Sequence, residues 1–201
     1  MTPTRPVAQQ PLPITLANTI SIDRGHIRDT LAEPADLQRW VREIAAQMDL
    51  SPRPSSTETI ASPAAQRLIS LRDGIRRLAA EHTHDRRTLG QSPVPDLTAA
   101  TTIINNTSGL SSVWPELHGD HSTARRRDLW AGGTYLDALC TVLARQTIDL
   151  STSTQWDLLR PCLAPGCAQF FIKDHLRRQW CAPHCGNRAR VARHTQRHQS
   201  E

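Results

Sequence analysis

Near its C-terminal end the chain carries two close cysteine pairs, Cys162-Leu-Ala-Pro-Gly-Cys167 and Cys181-Ala-Pro-His-Cys185. Two such pairs separated by a short spacer are the pattern of a metal site. A zinc ion takes four ligands in a tetrahedron, and thiolates suit it well. Each pair must bring two sulfurs to one ion, so each needs a tight turn. Pro165-Gly166 supplies one in the first pair, because glycine accepts backbone angles that other residues avoid. Four protein ligands leave no position for a reacting water, so the expected metal is structural zinc and not catalytic zinc. Two other uses of these residues stay open. The four cysteines could form two disulfides, although nothing in the sequence suggests secretion. His175 or His184 could replace one thiolate. A divalent ion with four thiolates is left negative, and Arg177, Arg178 and Arg188 are placed to offset it.

The segments around the cysteines must hold them in register. Gln169-Phe-Phe-Ile172 and Arg178-Gln-Trp180 are β-prone runs around Lys173-Asp-His, which predicts a small hairpin between the pairs. A helix is expected from Ala189 to His198. Helical spacing puts Arg190, Arg193 and Arg197 on one face with His194 at its edge, and Arg188, Val191, Ala192 and Thr195 toward the other. Exposed arginines so spaced can follow a phosphate backbone or reach guanine in a major groove. An ordinary charged surface has the same pattern. Lys173, Arg177, Arg178 and Arg188 complete the candidate nucleic-acid contacts. Arg188, on the packing side near the metal, is expected to be partly structural, and Asn187 to brace the helix start.

A knuckle, a hairpin and a helix whose first turn carries the last ligand resemble a treble-clef zinc finger. The string Cys185-Gly186-Asn187-Arg188, the pair Phe170-Phe171 and the basic residues that follow resemble the CGNR zinc-finger family. That resemblance implies an N-terminal ABATE domain and a role in stress-induced transcription regulation through DNA. Leu16, Asn18 and Thr19 resemble the strand near the start of ABATE domains that ends in Asn-Thr. It makes Asn18 and Thr19 candidates for a ligand pocket; the plainer role is to satisfy buried backbone groups at a strand end. ABATE-like proteins also carry a β-hairpin where residues 105–122 lie here, for which Ser112-Val-Trp114 and Glu116-Leu-His118 are the available runs.

The 201 residues suffice for one medium domain and a small module. The net charge of +5 is uneven. Residues 160–201 hold eight Lys/Arg against Asp174 and Glu201, a net of +6, which leaves −1 for residues 1–159. A basic finger on a near-neutral domain points to an acidic partner, nucleic acid being the usual one. Lys173 is the only lysine, so a general preference for arginine also contributes. No apolar run has signal-peptide or membrane-spanning length, which predicts a cytoplasmic protein with no membrane partner. No glycine-rich phosphate loop or Ser-His-Asp spacing is present, so no enzyme is expected.

The expected fold is a mainly α N-terminal domain with a few short β-strands (α+β), followed by a treble-clef-like zinc finger. The boundaries read as a disordered arm over 1–13, a helical domain over 14–152 and the finger over 157–201. Ile14 to Ile20 alternates like a strand. Pro34 to Leu50 carries one apolar stripe, Leu37, Trp40, Val41, Ile44, Ala45 and Met48. Ser62-Pro63 opens a second helix with Leu68, Leu71, Ile75, Leu78 and Ala79 inward and Arg72, Arg76 and Arg77 on a solvated face. Asp96 caps a third helix to about Asn105. A fourth runs from about Ala124 to Ile148 and buries Cys140. Arg125-Arg126-Arg127 lie at its solvated start, and Gly132-Gly133 mark either a close crossing or its true start. Ser151 to Thr154 reads as a hinge. A single finger would hold DNA weakly, so a homodimer or a transcription-machinery partner such as polymerase is expected. Two other functions fit the same residues. The finger could be a structural or protein-docking module, with the Arg190, Arg193 and Arg197 face covered by acidic side chains. It could also bind RNA, with Trp180, Phe170 and Phe171 exposed for stacking; the phenylalanines are expected to be buried under the finger helix instead.

Overall fold

Three helices build the N-terminal core. α2 (Pro34–Gln47), α3 (Ser62–His82) and α5 (Tyr135–Ser151) meet through Leu37, Trp40 and Ile44, through Leu68, Leu71 and Ile75, and through Leu139 and Leu143. The computed structural model describes residues 10–53, 60 and 62–198. The stripes of α2 and α3 lie where a 3.6-residue period puts them. α5 is enclosed: Ala138, Leu139, Cys140, Leu143 and Ala144 are wholly buried. Burial pushes the Cys140 thiol up to about 12, which leaves it an inert small hydrophobe. α4 (Leu97–Ser108) packs against α3 and α5, and the Asp96 carboxylate caps it by accepting the Ala99 N–H at 2.7 Å.

The predicted fourth helix is shorter than expected. Residues 125–131 form a strand, β5 (Arg125–Ala131), antiparallel to β4 (Ser112–His118). The two runs proposed as separate strands are thus one strand. Pro115 sits within it, which is tolerated because β4 is an edge of the sheet. β3 (Leu50–Ser51) joins the other side of β5 in parallel. Asp49 pairs with Arg125 and Arg127, and Asp128 with Arg126, so the arginine run is held by carboxylates. Gly132 and Gly133 both have φ of +78°, the left-handed region, and end the strand. Thr134 then starts α5 with a capping box closed by Asp137. The glycines mark the true helix start.

The N-terminal segment also departs from expectation. Leu12–Ala17 is a helix, α1, begun by prolines at its first turn. A hairpin follows, β1 (Ile20–Asp23) with β2 (His26–Asp29), turned by Arg24-Gly25 with φ of +48° and +84°. Ile14, Leu16 and Ala17 are all buried, a spacing that a short helix and a strand both permit. Gln10 to Pro13, assigned to the arm, are structured; residues 1–9 lie outside the described residues, as does most of the 51–61 linker. Arg72 and Arg76 are buried, not solvated. Arg72 reaches Asp29 at 2.6 Å and Asp73 at 2.9 Å, because the β1–β2 hairpin covers that side of α3.

Two measurements check this core. Leu139→Ala is expected to cost about 3 kcal/mol in urea unfolding, as for a large-to-small change in a closed core. Burial raises the pKa of Asp137, but hydrogen bonds from Thr134 and the Arg67 guanidinium outweigh it and hold the carboxyl below its ordinary value. Its contribution is therefore complete above the unfolded pKa of about 3.9 and lost as pH falls through the lower folded value. The stability gap between the native chain and Asp137→Asn is expected to be open at pH 7 and to close as acid takes the pH below about 4.

Candidate metal centre and basic helix

The first cysteine pair sits at the turn of a hairpin. β6 (Leu159–Pro161) pairs antiparallel with β7 (Phe170–Ile172), Leu159 opposite Ile172. The Cys162 N–H donates to the Gln169 carbonyl at 2.9 Å, and the Cys167 N–H to Ala164 at 3.1 Å. Gly166 has φ of +65°, the conformation its knuckle requires. The hairpin thus brackets the first pair and does not lie between the two pairs; Arg178-Gln-Trp180 is not a strand. The last helix, α6 (Pro183–His198), starts six residues before Ala189 and carries Cys185 in its first turn.

The Sγ atoms of Cys162, Cys167, Cys181 and Cys185 all lie within 4.8 Å of one another. Cys167 and Cys181 are 3.7 Å apart, Cys181 and Cys185 3.5 Å, and Cys185 and Cys167 3.8 Å. Sulfurs placed about 2.3 Å from a central ion in a tetrahedron have edges of about 3.8 Å. Disulfide sulfurs would be at about 2.05 Å, and all five cysteines are free. His175 and His184 are exposed and outside the cluster. The donor set fits a tetrahedral metal ion. Hydrogen bonds from Cys167 and Cys181 pull the Cys162 thiol down, while the contact with Cys162 pushes Cys167 up and the contacts with Cys162 and Cys167 push Cys181 up. Four crowded sulfurs cannot all ionise without a cation among them.

The residues after Cys185 have separate structural tasks. A Cβ on Gly186 would lie 3.0 Å from Trp180 Cδ1, so glycine lets the helix start pack on the indole. The Asn187 side-chain oxygen accepts from the Arg190 guanidinium. Arg188 donates to Cys185 Sγ at 3.2 Å and offsets thiolate charge. Arg178 is buried: it donates to the Trp180 and Cys181 carbonyls, pairs with Asp174 at 3.3 Å and lies 5.0 Å over the Phe171 ring. Its charge faces the finger's interior. Lys173 is half-buried, whereas Arg177, Arg188, Arg190, Arg193 and Arg197 are exposed. Among the described residues, no carboxylate pairs with Arg190, Arg193 or Arg197. Phe170 and Phe171 are each 1% exposed and offer no stacking surface.

The hairpin face of the finger is fused to the N-terminal domain. Phe170 shares a core with Ile14, Ala79, Leu150, Trp156 and Leu159. Arg87 donates to three carbonyls around the first pair, Cys162 at 3.2 Å, Cys167 at 3.0 Å and Gln169 at 3.1 Å. Its other edge grips Asp85, and it lies 4.8 Å over the Phe170 ring. Asn18 extends the contact. Its amide donates to the Phe170 carbonyl and accepts the Phe170 N–H, both at 2.8 Å, while Gln169 returns bonds to Asn18 and Ile20. The Thr19 hydroxyl donates to Leu16 at 2.9 Å. These bonds give Asn18 and Thr19 the plainer of their two expected roles: their polar groups are spent on backbone, and Asn18 satisfies the finger's strand. The hinge reading of Ser151 to Thr154 is corrected. Thr152, Ser153 and Trp156 close hydrogen-bonded turns, and Trp156 is buried. The sequence reading missed Arg87 and Asp85 altogether and put Arg76 on a solvated face. Arg87 lies 75 to 82 residues from its carbonyl partners, and no local pattern marks it.

A four-cysteine cluster, a hairpin knuckle and a helix carrying the last ligand define a finger of the zinc-binding class. Residues 159–198 match the CGNR zinc finger. Residues 10–154 match ABATE, whose description is "Putative stress-induced transcription regulator". The second match spans most of the chain, and the chain belongs to the ABATE family with a CGNR zinc finger at its C-terminal end. No curated protein matches it. Among the described residues, no helix is long and apolar enough to cross a membrane.

Arg87→Ala is expected to cost about 3–5 kcal/mol, because it leaves the Asp85 carboxylate without its partner in a mostly buried site. Urea unfolding of the metal-loaded chain reads that loss directly. Arg177→Ala, at an exposed site, is expected to change stability by less than about 0.5 kcal/mol.

Proposed function

We propose that this protein is a DNA-binding transcription regulator in which one zinc ion, held by Cys162, Cys167, Cys181 and Cys185, fixes a basic helix for contact with DNA. The observation that carries this reading is the sorting of arginines. Arg72, Arg76, Arg87 and Arg178 are engaged inside the protein. Arg190, Arg193 and Arg197 stand exposed along α6 with no carboxylate partner among the described residues. The four sulfurs tie the first turn of α6 to the β6–β7 hairpin, and Arg87 and Asn18 tie that hairpin to the core. The arginine face is thereby held in one orientation without further ordering on binding. Arg177, Arg188 and Lys173 add positive potential nearby. The zinc is structural, with all four positions filled by protein, and the protein carries out no reaction. A cytoplasmic location fits this role.

A few arginines on one helix hold a duplex weakly at physiological salt. A homodimer placing two fingers on two half-sites, or a partner in the transcription machinery, supplies the remaining affinity. The second reading, a finger that only docks on protein, is favoured by the Arg87 contacts. That docking uses the hairpin face and leaves the α6 arginines open, so it does not account for the α6 face. RNA recognition by stacking is disfavoured by the burial of Phe170 and Phe171.

The test is the affinity of the zinc-loaded chain for duplex DNA across a salt series, beside Arg190→Ala/Arg193→Ala/Arg197→Ala. Each lost phosphate contact removes about 0.9 from the slope of log K against log salt, so the triple variant is expected to flatten it by up to about 2.7. Equal affinity and slope in both proteins would mean that α6 does not touch DNA, and the docking reading would take its place.

A further inference from the structure

Arg76 is a buried cation, 3% exposed, with no carboxylate at salt-bridge distance among the described residues. Its guanidinium donates to the carbonyls of Ala17 at 2.7 Å, Ala168 at 3.2 Å and Gly90. Among the described residues, its Nε is buried without a hydrogen-bond partner. The neighbouring carboxylates are each in contact with another guanidinium. Arg72 uses Asp29 and Asp73, and Arg87 holds both oxygens of Asp85. Arg77, next in sequence, binds the Pro95 carbonyl and pairs with Glu81 at 3.6 Å, but its Nε is also buried and, among the described residues, unpartnered. Burial, then the charges of Arg87 and Arg72, lower the pKa of Arg76 to about 10, against the opposing charges of Asp73 and Asp85.

These side chains border a cavity of about 40 Å³ with Asp85, Gly90 and Ser92. A water needs roughly 10–15 Å³ by this measure, so the space holds about three waters or one small ion. Buried donors are hydrogen-bonded in folded proteins, and the oxygens of an oxyanion accept from guanidinium N–H groups. The geometry points to a binding site for a small inorganic oxyanion, phosphate or sulfate, held by Arg76 and Arg77 at the seam between α3 and the first cysteine knuckle. Arg76 reaches the knuckle through the Ala168 carbonyl, and the loop at Gly90 is so close that a Cβ there would lie 2.8 Å from Ala168 Cβ. The ion thus accepts from two otherwise unpartnered Nε–H groups, one of them on a residue that joins the ABATE domain to the finger. The cavity is too small for a nucleotide, which separates a free ion from a phosphate carried on a larger molecule.

Thermal unfolding of the metal-loaded full chain tests this with sodium phosphate or sulfate against sodium chloride at equal ionic strength. The melting temperature is expected to rise and saturate with the oxyanions only. Arg77→Ala, which spares the Arg76 carbonyl bonds, is expected to weaken the apparent affinity at least tenfold, and Arg76→Lys to abolish the response. Adenosine monophosphate is expected to give no rise. Crystals soaked in selenate should show an anomalous peak beside Arg76 Nε, a measurement that stands even if Arg76→Lys does not fold. An equal rise with chloride, an unchanged response in Arg77→Ala, a full response to the nucleotide, or water alone in the cavity would each overturn the assignment.

Discussion

The structure depends on how so small a finger is held together. Residues 159–198 bury few large side chains of their own: Phe171 packs with the cysteines and the partly buried Trp180, while Phe170 and Ile172 belong to the core shared with the N-terminal domain. A module of that size needs a metal or a neighbour to fold, and this one is built to use both. The four sulfurs close one side. The other is closed by Arg87, whose guanidinium gathers three carbonyls of the knuckle while Asp85 balances its charge. The carbonyls it takes belong to two metal ligands and to Gln169, so the metal site and the N-terminal core are two ends of one hydrogen-bonded unit.

That arrangement divides one residue type into two roles. With a single lysine in the chain, arginine serves nearly every cationic purpose. Inside, its planar fork can satisfy several carbonyls and lie over an aromatic ring, as Arg87 and Arg76 do with Phe170 and Arg178 with Phe171. Outside, along α6, the same fork stands exposed. The overall charge of +5 therefore overstates what the surface offers in some places and understates it in others. Arg178 looked like a contact residue and is internal. Asp174, the one carboxylate within residues 159–198, pairs with Arg178 and not with the α6 stripe.

The parts legible in the sequence were those written in local spacing. The cysteine pairs, the turn at Gly166, the Asp96 cap and the stripe of α2 each depend on residues a few positions apart. The parts that were not legible depend on contacts made at a distance. β6 reads Leu-Arg-Pro and has no strand propensity; it pairs with β7 because the knuckle brings the two ends together. Residues 125–131 continue a plausible helical pattern and become a strand because Asp49 and β4 hold them, with the two glycines breaking the helix. Arg72 and Arg76 sit on the polar side of α3 by period, yet the β1–β2 hairpin and the Gly90 loop cover that side. Asn18 was picked out by resemblance, but its partner, the backbone of Phe170, lies 152 residues away.

Arg87 and Asn18 join the metal site and the N-terminal domain into one unit. Hydrogen exchange of the metal-loaded chain against the same chain stripped by a strong chelator tests that union. Removing the metal is expected to lower protection over residues 159–198 and also across the seam, at the amides of α1, of the Asp85 to Gly90 loop and of the C-terminal end of α3. Loss confined to 159–198, with the seam as protected as before, would contradict it and make the finger an independent module on a passive support.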